Sequence, residues 1–268
     1  MGHGKLKKFA ENETFRCLLQ PDASAILNKE PGSRELRLND HAIKGQWGKE
    51  MFGNDNPIVL ELGCGKGDYT IALALRNPDV NCIGVDIKGA RLWKGAKFAT
   101  ENALPNVAFL RTRIEFIDAF FGPGEVSEIW LTFSDPQLRG SENARLSSPL
   151  FLERYRHFLK PDGVIHLKTD SRYLYEYTKA VTEVNNLQVF VSETDVYAHV
   201  ERVPEVVTQV QTFYEKMFLD MGLPITYMAF GLSHEGPYAF PGEAFDHEKW
   251  LEAEGPRRSF SHQPSKRG

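Results

Sequence analysis

Residues 58–67 read Ile-Val-Leu-Glu-Leu-Gly-Cys-Gly-Lys-Gly, and residues 81–86 read Asn-Cys-Ile-Gly-Val-Asp. The first stretch is a strand pattern that ends in a carboxylate, Glu61, and in glycines that let the backbone approach a ligand without a side chain in the way. A helix pattern follows at 68–76, and the second strand pattern ends in Asp86, 25 residues after Glu61. This strand, turn, helix and strand are typical of a nucleotide pocket in which the second acid binds ribose hydroxyls.

The spacing of the glycines discriminates between nucleotide ligands. A dinucleotide fingerprint needs a third glycine three residues after the second, and this chain has Asp68 there. Glu61 would repel a diphosphate, whereas a carboxylate suits the ammonium and sulfonium groups of S-adenosylmethionine. A nicotinamide or flavin nucleotide, or a turn that is merely tight, is the alternative. We predict that S-adenosylmethionine is bound by Glu61, Gly63, Gly65, Gly67 and Asp86.

The composition is that of a soluble globular protein. The chain has 268 residues, 41% of them hydrophobic and 25% charged, which suffices for one α/β core. No apolar run approaches the about 20 residues of a membrane helix, and the basic start at 1–8 lacks the apolar segment of a signal peptide. Cys17, Cys64 and Cys82 have no metal-ligand spacing. We expect a cytoplasmic protein with no metal and no membrane association.

The distribution of charge bears on a nucleic-acid partner. The formal net charge is −4, but residues 88–113 contain six basic residues and one acidic residue. Lys88, Arg91, Lys94 and Lys97 step by three along one predicted helix, and we call them the basic stripe. The stripe is either a solvated helix face or a surface that contacts phosphates. Charge alone does not decide between these interpretations.

Alternating strand and helix patterns predict a doubly wound, mostly parallel sheet with helices on both faces. We predict strands at 58–62, 81–86, 107–111, 128–133, 164–168, 188–193 and 225–232. We predict helices at 68–76, 89–102, 114–121, 148–158, 171–186 and 205–221. The flanking segments differ in character. Residues 1–50 read as a partly ordered arm, 51–240 as the α/β domain, and 241–268, rich in Pro, Gly, Ser and charge, as a disordered tail.

Two further carboxylates follow strand patterns. Asp135 follows the strand at 128–133 and Asp170 follows the strand at 164–168, so both belong to the ligand-binding edge of the sheet. The alternative for Asp170 is that it caps the next helix. A carboxylate accepts hydrogen bonds, and the Watson–Crick edge of guanine offers two adjacent donors. Methylation at guanine N7 would need no strong base, so catalysis would depend on alignment and electrostatics.

Segments in the same order and spacing resemble the bacterial tRNA (guanine-N7-)-methyltransferase family. They are 59–67, 83–86, 106–107, 133–136, 145–146, 151–155, 159–163, 165–170, 212–216 and 222–225. The resemblance implies a Rossmann-like class I methyltransferase fold, S-adenosylmethionine as the donor, and N7 of a variable-loop guanine in tRNA as the acceptor. We expect tRNA as the partner, no obligatory protein partner, and a monomer or weak homodimer.

The resemblance also implies roles for individual residues. Glu61 and Asp86 match cofactor-binding acids, and Asp86 replaces a more common Glu. Asp135 matches an acid with both a cofactor contact and a catalytic role. The positions that match substrate-binding residues are Arg139, Asp170, Thr212, Phe213, Tyr214 and Glu215.

Three departures from the family pattern are visible. Arg113 stands where the family has a cofactor-contacting Asp, and we assign this position to the cofactor site, with an adenine contact from backbone or from Glu115. Gln137 replaces a tryptophan, and the basic loop is thinned at 139–145, which leaves Arg139 at a lysine position. Two alternative functions stay open, the second of them because of Arg113 and the thinned loop. One is methylation of another RNA base or a small molecule, and the other is tRNA binding without turnover.

Overall fold

The computed structural model describes residues 3–28 and 37–254. The chain divides into two compact units, one formed by Met1–Ile129 with Arg154–Lys160 and the other by Trp130–Glu153 with Pro161–Gly268. None of the helices within the described ranges is long and apolar enough to cross a membrane.

Strands and helices alternate along the chain, as the sequence predicts. The strands are β1 (Leu18–Leu19), β2 (Leu27–Asn28), β3 (Arg37–Leu38), β4 (Ile58–Leu62), β5 (Asn81–Asp86), β6 (Val107–Arg111), β7 (Val126–Thr132), β8 (Leu159–Thr169), β9 (Val189–Glu193) and β10 (Thr226–Gly231). The α-helices are α1 (His3–Asn12), α2 (Ala23–Ile26), α3 (Asp68–Arg76), α4 (Gly89–Glu101), α5 (Pro149–Arg156), α6 (Arg172–Val184), α7 (Glu205–Gln209), α8 (Phe213–Asp220) and α9 (His247–Ala253). A π-helical segment covers Trp47–Phe52, and 3₁₀ segments cover Ile114–Ala119, Glu142–Ala144, Val200–Arg202 and Gly242–Ala244.

Eight of the strands form one sheet in the order β1-β6-β5-β4-β7-β8-β10-β9, while β2 and β3 pair separately. β1, β6, β5 and β4 pair in parallel, and β10 is antiparallel to both β8 and β9. From β4 the strand order runs outward in both directions, which is the signature of a doubly wound sheet. The predicted fold class, a mostly parallel α/β sheet, is confirmed.

In the first unit the predicted strands β4 and β5 are buried along their whole length. Every residue of β4 and β5 is buried, as expected for parallel strands covered on both faces. The ring of Phe109 on β6 lies in a space made by glycines. A Cβ built on Gly67, Gly84 or Gly95 would lie 2.5, 2.9 or 2.6 Å from this ring. Glycine at these positions therefore lets α3, α4 and β5 approach β6 closely.

The N-terminal arm is tied to α4 by side chains. Asn12 Nδ2 donates to the Gly89 carbonyl over 3.0 Å, and Trp93 Nε1 donates to the Glu11 carboxylate. β1 then adds a short strand beside β6. The sequence predicted a partly ordered arm here but not this strand, because two residues carry no periodic signal.

In the second unit the structure corrects the predicted tail. A 3₁₀ segment and α9 occupy part of 241–254, where the sequence predicted disorder, and residues 255–268 lie outside the described ranges. The buried ring of Phe245 meets Tyr173 and Tyr177 edge-on. The polar composition of this segment led the sequence analysis to predict disorder. The segment is ordered because a few of its residues make buried contacts, which composition does not reveal.

A second correction concerns the predicted helix at 205–221. It is interrupted after α7, because Val210 has extended backbone (φ −100°, ψ 109°) and Thr212 caps a new helix, α8. The predicted helix at 114–121 is a 3₁₀ segment at Ile114–Ala119, and β8 is longer than the predicted strand at 164–168.

Candidate functional site

Glu61 lies near the end of β4 and is 3% exposed. Its Oε2 accepts the backbone N–H of Thr70 over 2.8 Å and also the Thr70 hydroxyl. Thr70 belongs to the first turn of α3, where free backbone N–H groups favour a carboxylate. Glu61 therefore ties the end of β4 to the start of the helix.

The glycine turn between β4 and α3 presents open backbone. Gly63 and Gly65 have φ of +80° and +59°, and a Cβ built on either would meet no atom of the described residues within 4 Å. Gly67 also has a positive φ, +75°, but the space beside it is filled by Phe109. Gly63 and Gly65 therefore leave room for a ligand, while Gly67 serves the packing of the turn.

Asp86 ends β5 and is 8% exposed. Its Oδ2 accepts the N–H of Gly65 over 3.0 Å, and its Oδ1 accepts the N–H of Lys88 over 2.7 Å. A carboxylate oxygen has two lone pairs, so each retains capacity to accept a ribose hydroxyl. Asp86 holds the glycine turn and faces it with negative charge.

The electrostatics of the turn favour a cationic ligand. The pKa of the buried Cys64 thiol is raised well above its usual value, first by burial and then by the charges of Glu61 and Asp86. Burial opposes a charge of either sign, but the contributions of Glu61 and Asp86 show a negative potential, which attracts a positive group. Two carboxylates beside open glycine backbone fit an adenosine ligand that carries an ammonium and a sulfonium.

Arg113 lies two residues beyond β6 and is exposed. Its Nη2 is 3.3 Å from Glu115 Oε1, and its guanidinium lies 5.6 Å from the ring centroid of Phe116. The two side chains that sequence reasoning considered for an adenine contact after β6, those of Arg113 and Glu115, therefore form an ion pair with each other. A cofactor contact by Arg113 stays a prediction.

Asp135 lies in a constrained turn that we call the acidic turn, residues 133–137. Phe133 and Gln137 have φ of +50° and +51°, in the left-handed region that costs a non-glycine residue about 1–3 kcal/mol. Gln137 N–H donates to Asp135 Oδ1 over 2.9 Å, and Asp135 is exposed. The turn therefore holds an accessible carboxylate in one orientation.

Arg145 supports the acidic turn from inside the unit, whereas sequence reasoning placed it in a family-like segment and gave it no role. It is 2% exposed, its Nε donates to the Pro136 carbonyl over 3.1 Å, and its Nη2 donates to the Gln137 carbonyl over 3.3 Å. The guanidinium also lies 5.0 and 4.6 Å from the ring centroids of Tyr173 and Tyr177. The available sequence signal was the position of Arg145 in the segment 145–146, which resembles the family.

The predicted substrate segment at 212–215 includes a buried ion pair. Glu215 and Lys168 have fully buried side chains, with 2.7 Å between Glu215 Oε1 and Lys168 Nζ. Tyr197 donates its hydroxyl to the same Oε1 over 2.7 Å. Burial lowers the pKa of Lys168, and the charge of Glu215 opposes that shift. The Glu215 carboxylate is thus engaged inside the unit.

Thr212 and Glu215 also form a capping box at the start of α8. Thr212 Oγ1 accepts the Glu215 N–H, and Glu215 Oε2 accepts the Thr212 N–H, each over 3.2 Å. Phe213 begins the helix, and Tyr214 is 52% exposed. Tyr214 therefore presents accessible surface, while Glu215 sets the position of the helix.

The other predicted substrate residues lie at the edge of the second unit. Asp170 follows β8 directly and is half-buried, and Arg139 is exposed. Ser171, not Asp170, caps α6, because its Oγ accepts the N–H of Leu174 over 3.1 Å. The capping alternative for Asp170 is therefore wrong.

Two members of the basic stripe lie beside carboxylates of the described residues. Lys94 Nζ is 3.0 Å from Asp68 Oδ1, and Lys97 Nζ is 3.6 Å from Glu101 Oε1. Lys88 and Arg91, at the start of α4, are exposed. No group of three or more His, Cys, Asp or Glu side chains in the described ranges is placed to hold a metal ion.

Comparison with known proteins shows what the chain is similar to. The family model described as "Putative methyltransferase" matches residues 55–228. The chain is 49% identical over 236 residues to the tRNA (guanine-N(7)-)-methyltransferase of Bacteroides thetaiotaomicron, covering 88% of each protein. It is 48% identical over 227 residues to the protein of the same name from Christiangramia forsetii, covering 84% of this chain and 96% of that protein.

A solved structure supports the fold. The crystal structure of the 16S rRNA methyltransferase KamB aligns with a TM-score of 0.54 at 16% identity, covering 75% of this chain and 97% of that one. At this identity the similarity concerns the fold alone.

Proposed function

We infer that this chain, which belongs to the tRNA (guanine-N(7)-)-methyltransferase family, methylates N7 of a variable-loop guanine in tRNA with S-adenosylmethionine as the donor. The observation that carries the cofactor assignment is the open backbone at Gly63 and Gly65 beside the buried carboxylates of Glu61 and Asp86. We place the enzyme in the cytoplasm, acting as a monomer or weak homodimer.

The cofactor would be held by residues of the first unit. Asp86 would accept the ribose hydroxyls, Glu61 would provide the negative charge that favours the ligand's cationic groups, and Gly63 and Gly65 would allow close approach of the backbone. When bound, S-adenosylmethionine supplies a methyl group made electrophilic by its sulfonium. Arg113 and the Asp135 carboxylate are proposed further contacts.

The acceptor base would be oriented by Asp135. Its carboxylate accepts hydrogen bonds only, and the Watson–Crick edge of guanine offers N1–H and the N2 amino group as adjacent donors. Guanine N7 carries a free lone pair at neutral pH, so Asp135 is not needed as a general base. Its role would be to orient the base and to stabilise developing positive charge on it.

The rest of the substrate contacts are assigned to the edge of the second unit. Arg139 and Tyr214 are exposed and suit phosphate and base contacts respectively. Asp170, which follows β8, is assigned a substrate contact on the basis of the family resemblance. Thr212 and Glu215 contribute by setting the start of α8, which places Tyr214.

The direct test is methyl transfer to tRNA that lacks the modification. Purified protein with S-adenosylmethionine should yield tRNA that is cleaved within the variable loop after reduction and aniline treatment. Absence of cleavage would refute the activity, and cleavage elsewhere would redirect it to another guanine. Calorimetric titration with S-adenosylmethionine separates a tRNA-binding protein without turnover, which would bind tRNA but not the cofactor.

A further inference from the structure

The C-terminal segment Asp246–Glu254 is anchored to the start of α6. Glu254 is 2% exposed, and its Oε1 accepts the Ser171 hydroxyl over 2.7 Å and the Tyr173 N–H over 2.6 Å. Asp246 caps α9 by accepting the N–H of Lys249 over 3.0 Å. A buried carboxylate that accepts two hydrogen bonds is costly to displace, so the segment is held in one place.

Tyr173 connects this segment to the residues that support the acidic turn. Its hydroxyl lies 2.7 Å from Arg145 Nη2 and 2.7 Å from His247 Nδ1. Arginine only donates, so the Tyr173 oxygen accepts from Arg145 and its proton is directed to His247 Nδ1. The hydroxyl thus bridges the guanidinium and α9.

Arg145 extends the connection to the acidic turn through the Pro136 and Gln137 carbonyls. The left-handed backbone of Phe133 and Gln137 is strained. The acidic turn would therefore change its backbone conformation unless neighbouring residues restrained it. Arg145 provides that restraint only while its own guanidinium is held. The charge-assisted bond to Tyr173 is directional and therefore fixes the orientation of the guanidinium.

We propose that the C-terminal segment positions the acidic turn for catalysis, with Tyr173 and His247 as positioning residues that act through Arg145. The proposal rests on the proposed function, since it assigns these residues to the support of Asp135. The segment does not contact substrate in this role. It determines how closely the Asp135 carboxylate keeps the orientation that the reaction needs.

Tyr173→Phe tests the bridge, with Tyr175→Phe as the matched control. Both changes remove one tyrosine hydroxyl from α6. Tyr175 is a suitable control because its hydroxyl is bonded to Ser192 Oγ over 2.6 Å and not to Arg145. We expect Tyr173→Phe to lower kcat about tenfold with KM for S-adenosylmethionine nearly unchanged, as expected when alignment and not binding is lost. Tyr175→Phe should retain the wild-type kcat.

A second pair of variants tests α9 without altering the core. His247 is exposed, so His247→Leu should fold while losing the acceptor for the Tyr173 hydroxyl. His247→Gln keeps an acceptor and should restore most of kcat. Hydrogen exchange followed by mass spectrometry, without cofactor or tRNA, should show faster exchange at 131–146 in Tyr173→Phe and His247→Leu than in wild type and Tyr175→Phe.

The outcomes separate this proposal from the proposed function. A wild-type protein without methyl transfer refutes the function, while the exchange data still report on the turn. A wild-type protein with full activity overturns the positioning role if Tyr173→Phe and Tyr175→Phe have equal kcat. The same conclusion follows if His247→Leu matches wild type in kcat and in exchange.

Discussion

The orientation of the Asp135 carboxylate is set by the residues next to it in the chain. Phe133 and Gln137 hold left-handed backbone on either side of it, and the Gln137 N–H occupies one of its oxygens. Under the proposed function, the other oxygen would accept hydrogen bonds from the substrate. The carboxylate is therefore oriented before any ligand arrives, which favours a role in alignment over proton transfer.

Asp135→Ala should abolish methyl transfer while the protein stays folded, because an exposed carboxylate contributes to the site and not to the core. We expect a fall in kcat of at least about a hundredfold, the usual scale for loss of a preorganised electrostatic contact. Initial rates with tRNA and thermal unfolding measure the two effects. Asp162→Ala, an exposed acid on β8, is the control, and near-normal turnover of Asp135→Ala would reject the role.

Glu61 combines a structural bond with a proposed ligand contact. Glu61→Gln keeps the size of the side chain but removes the charge, so we expect S-adenosylmethionine to bind about ten- to hundredfold more weakly, the value of a charge-assisted hydrogen bond. Calorimetry measures the dissociation constant. Glu101→Gln, an exposed change on α4, should leave it unchanged. Equal affinity in Glu61→Gln and wild type would show that Glu61 only caps α3.

At the scale of elements, one buried ion pair joins β8 to the start of α8. Lys168 on β8 donates to the Val210 carbonyl over 2.9 Å and pairs with Glu215, which caps α8. The Lys168–Glu215 pair thus fixes the start of α8 and, with it, the position of the exposed Tyr214 side chain. Buried pairs are weak sources of net stability, yet removing one partner leaves an uncompensated charge.

Lys168→Met should destabilise the protein by about 3–5 kcal/mol, because the Glu215 carboxylate would stay buried without its cation. Urea unfolding followed by circular dichroism measures the change. Lys168→Met combined with Glu215→Gln should recover much of the loss. Lys179→Met removes a lysine from an exposed pair on α6 and should change stability by no more than about 0.5 kcal/mol. A cost below about 1 kcal/mol for Lys168→Met would contradict the expectation.

For the whole molecule, charge distribution matters more than the net charge of −4. Lys88 and Arg91 are exposed, and we consider them the candidates of the basic stripe for phosphate contacts. Lys94 is also exposed but lies beside Asp68. A negatively charged protein can bind tRNA if such a local surface faces the phosphates.

Replacing Lys88 and Arg91 together by alanine should weaken tRNA binding and make it less sensitive to salt. If both contact phosphates, the slope of log K against log salt should fall by about 2, one for each contact. Filter binding at several salt concentrations measures it. Lys179→Ala, on α6, should leave the slope unchanged. A wild-type slope in the double variant would favour the solvated-face interpretation.

Prediction from sequence succeeded where the signal is local. The structure has β4, α3, β5 and β6 at the predicted bounds, because apolar runs, glycine turns and helical periodicity are properties of neighbouring residues. It failed where a few distant contacts decide the structure. β1 needs β6 to be a strand, and α9 is ordered by Phe245 and Glu254, whose partners lie on α6.

The residues of this chain alone were sufficient to predict the parallel sheet, the glycine turn and the carboxylates at the strand ends. Only the tertiary structure decided what each carboxylate does. Glu61 bonds Thr70, Glu215 is buried against Lys168, and Asp135 is left exposed in a turn that Arg145 holds. The physical reason is that burial and hydrogen-bond partners come from residues far apart in the chain, which no periodic pattern records.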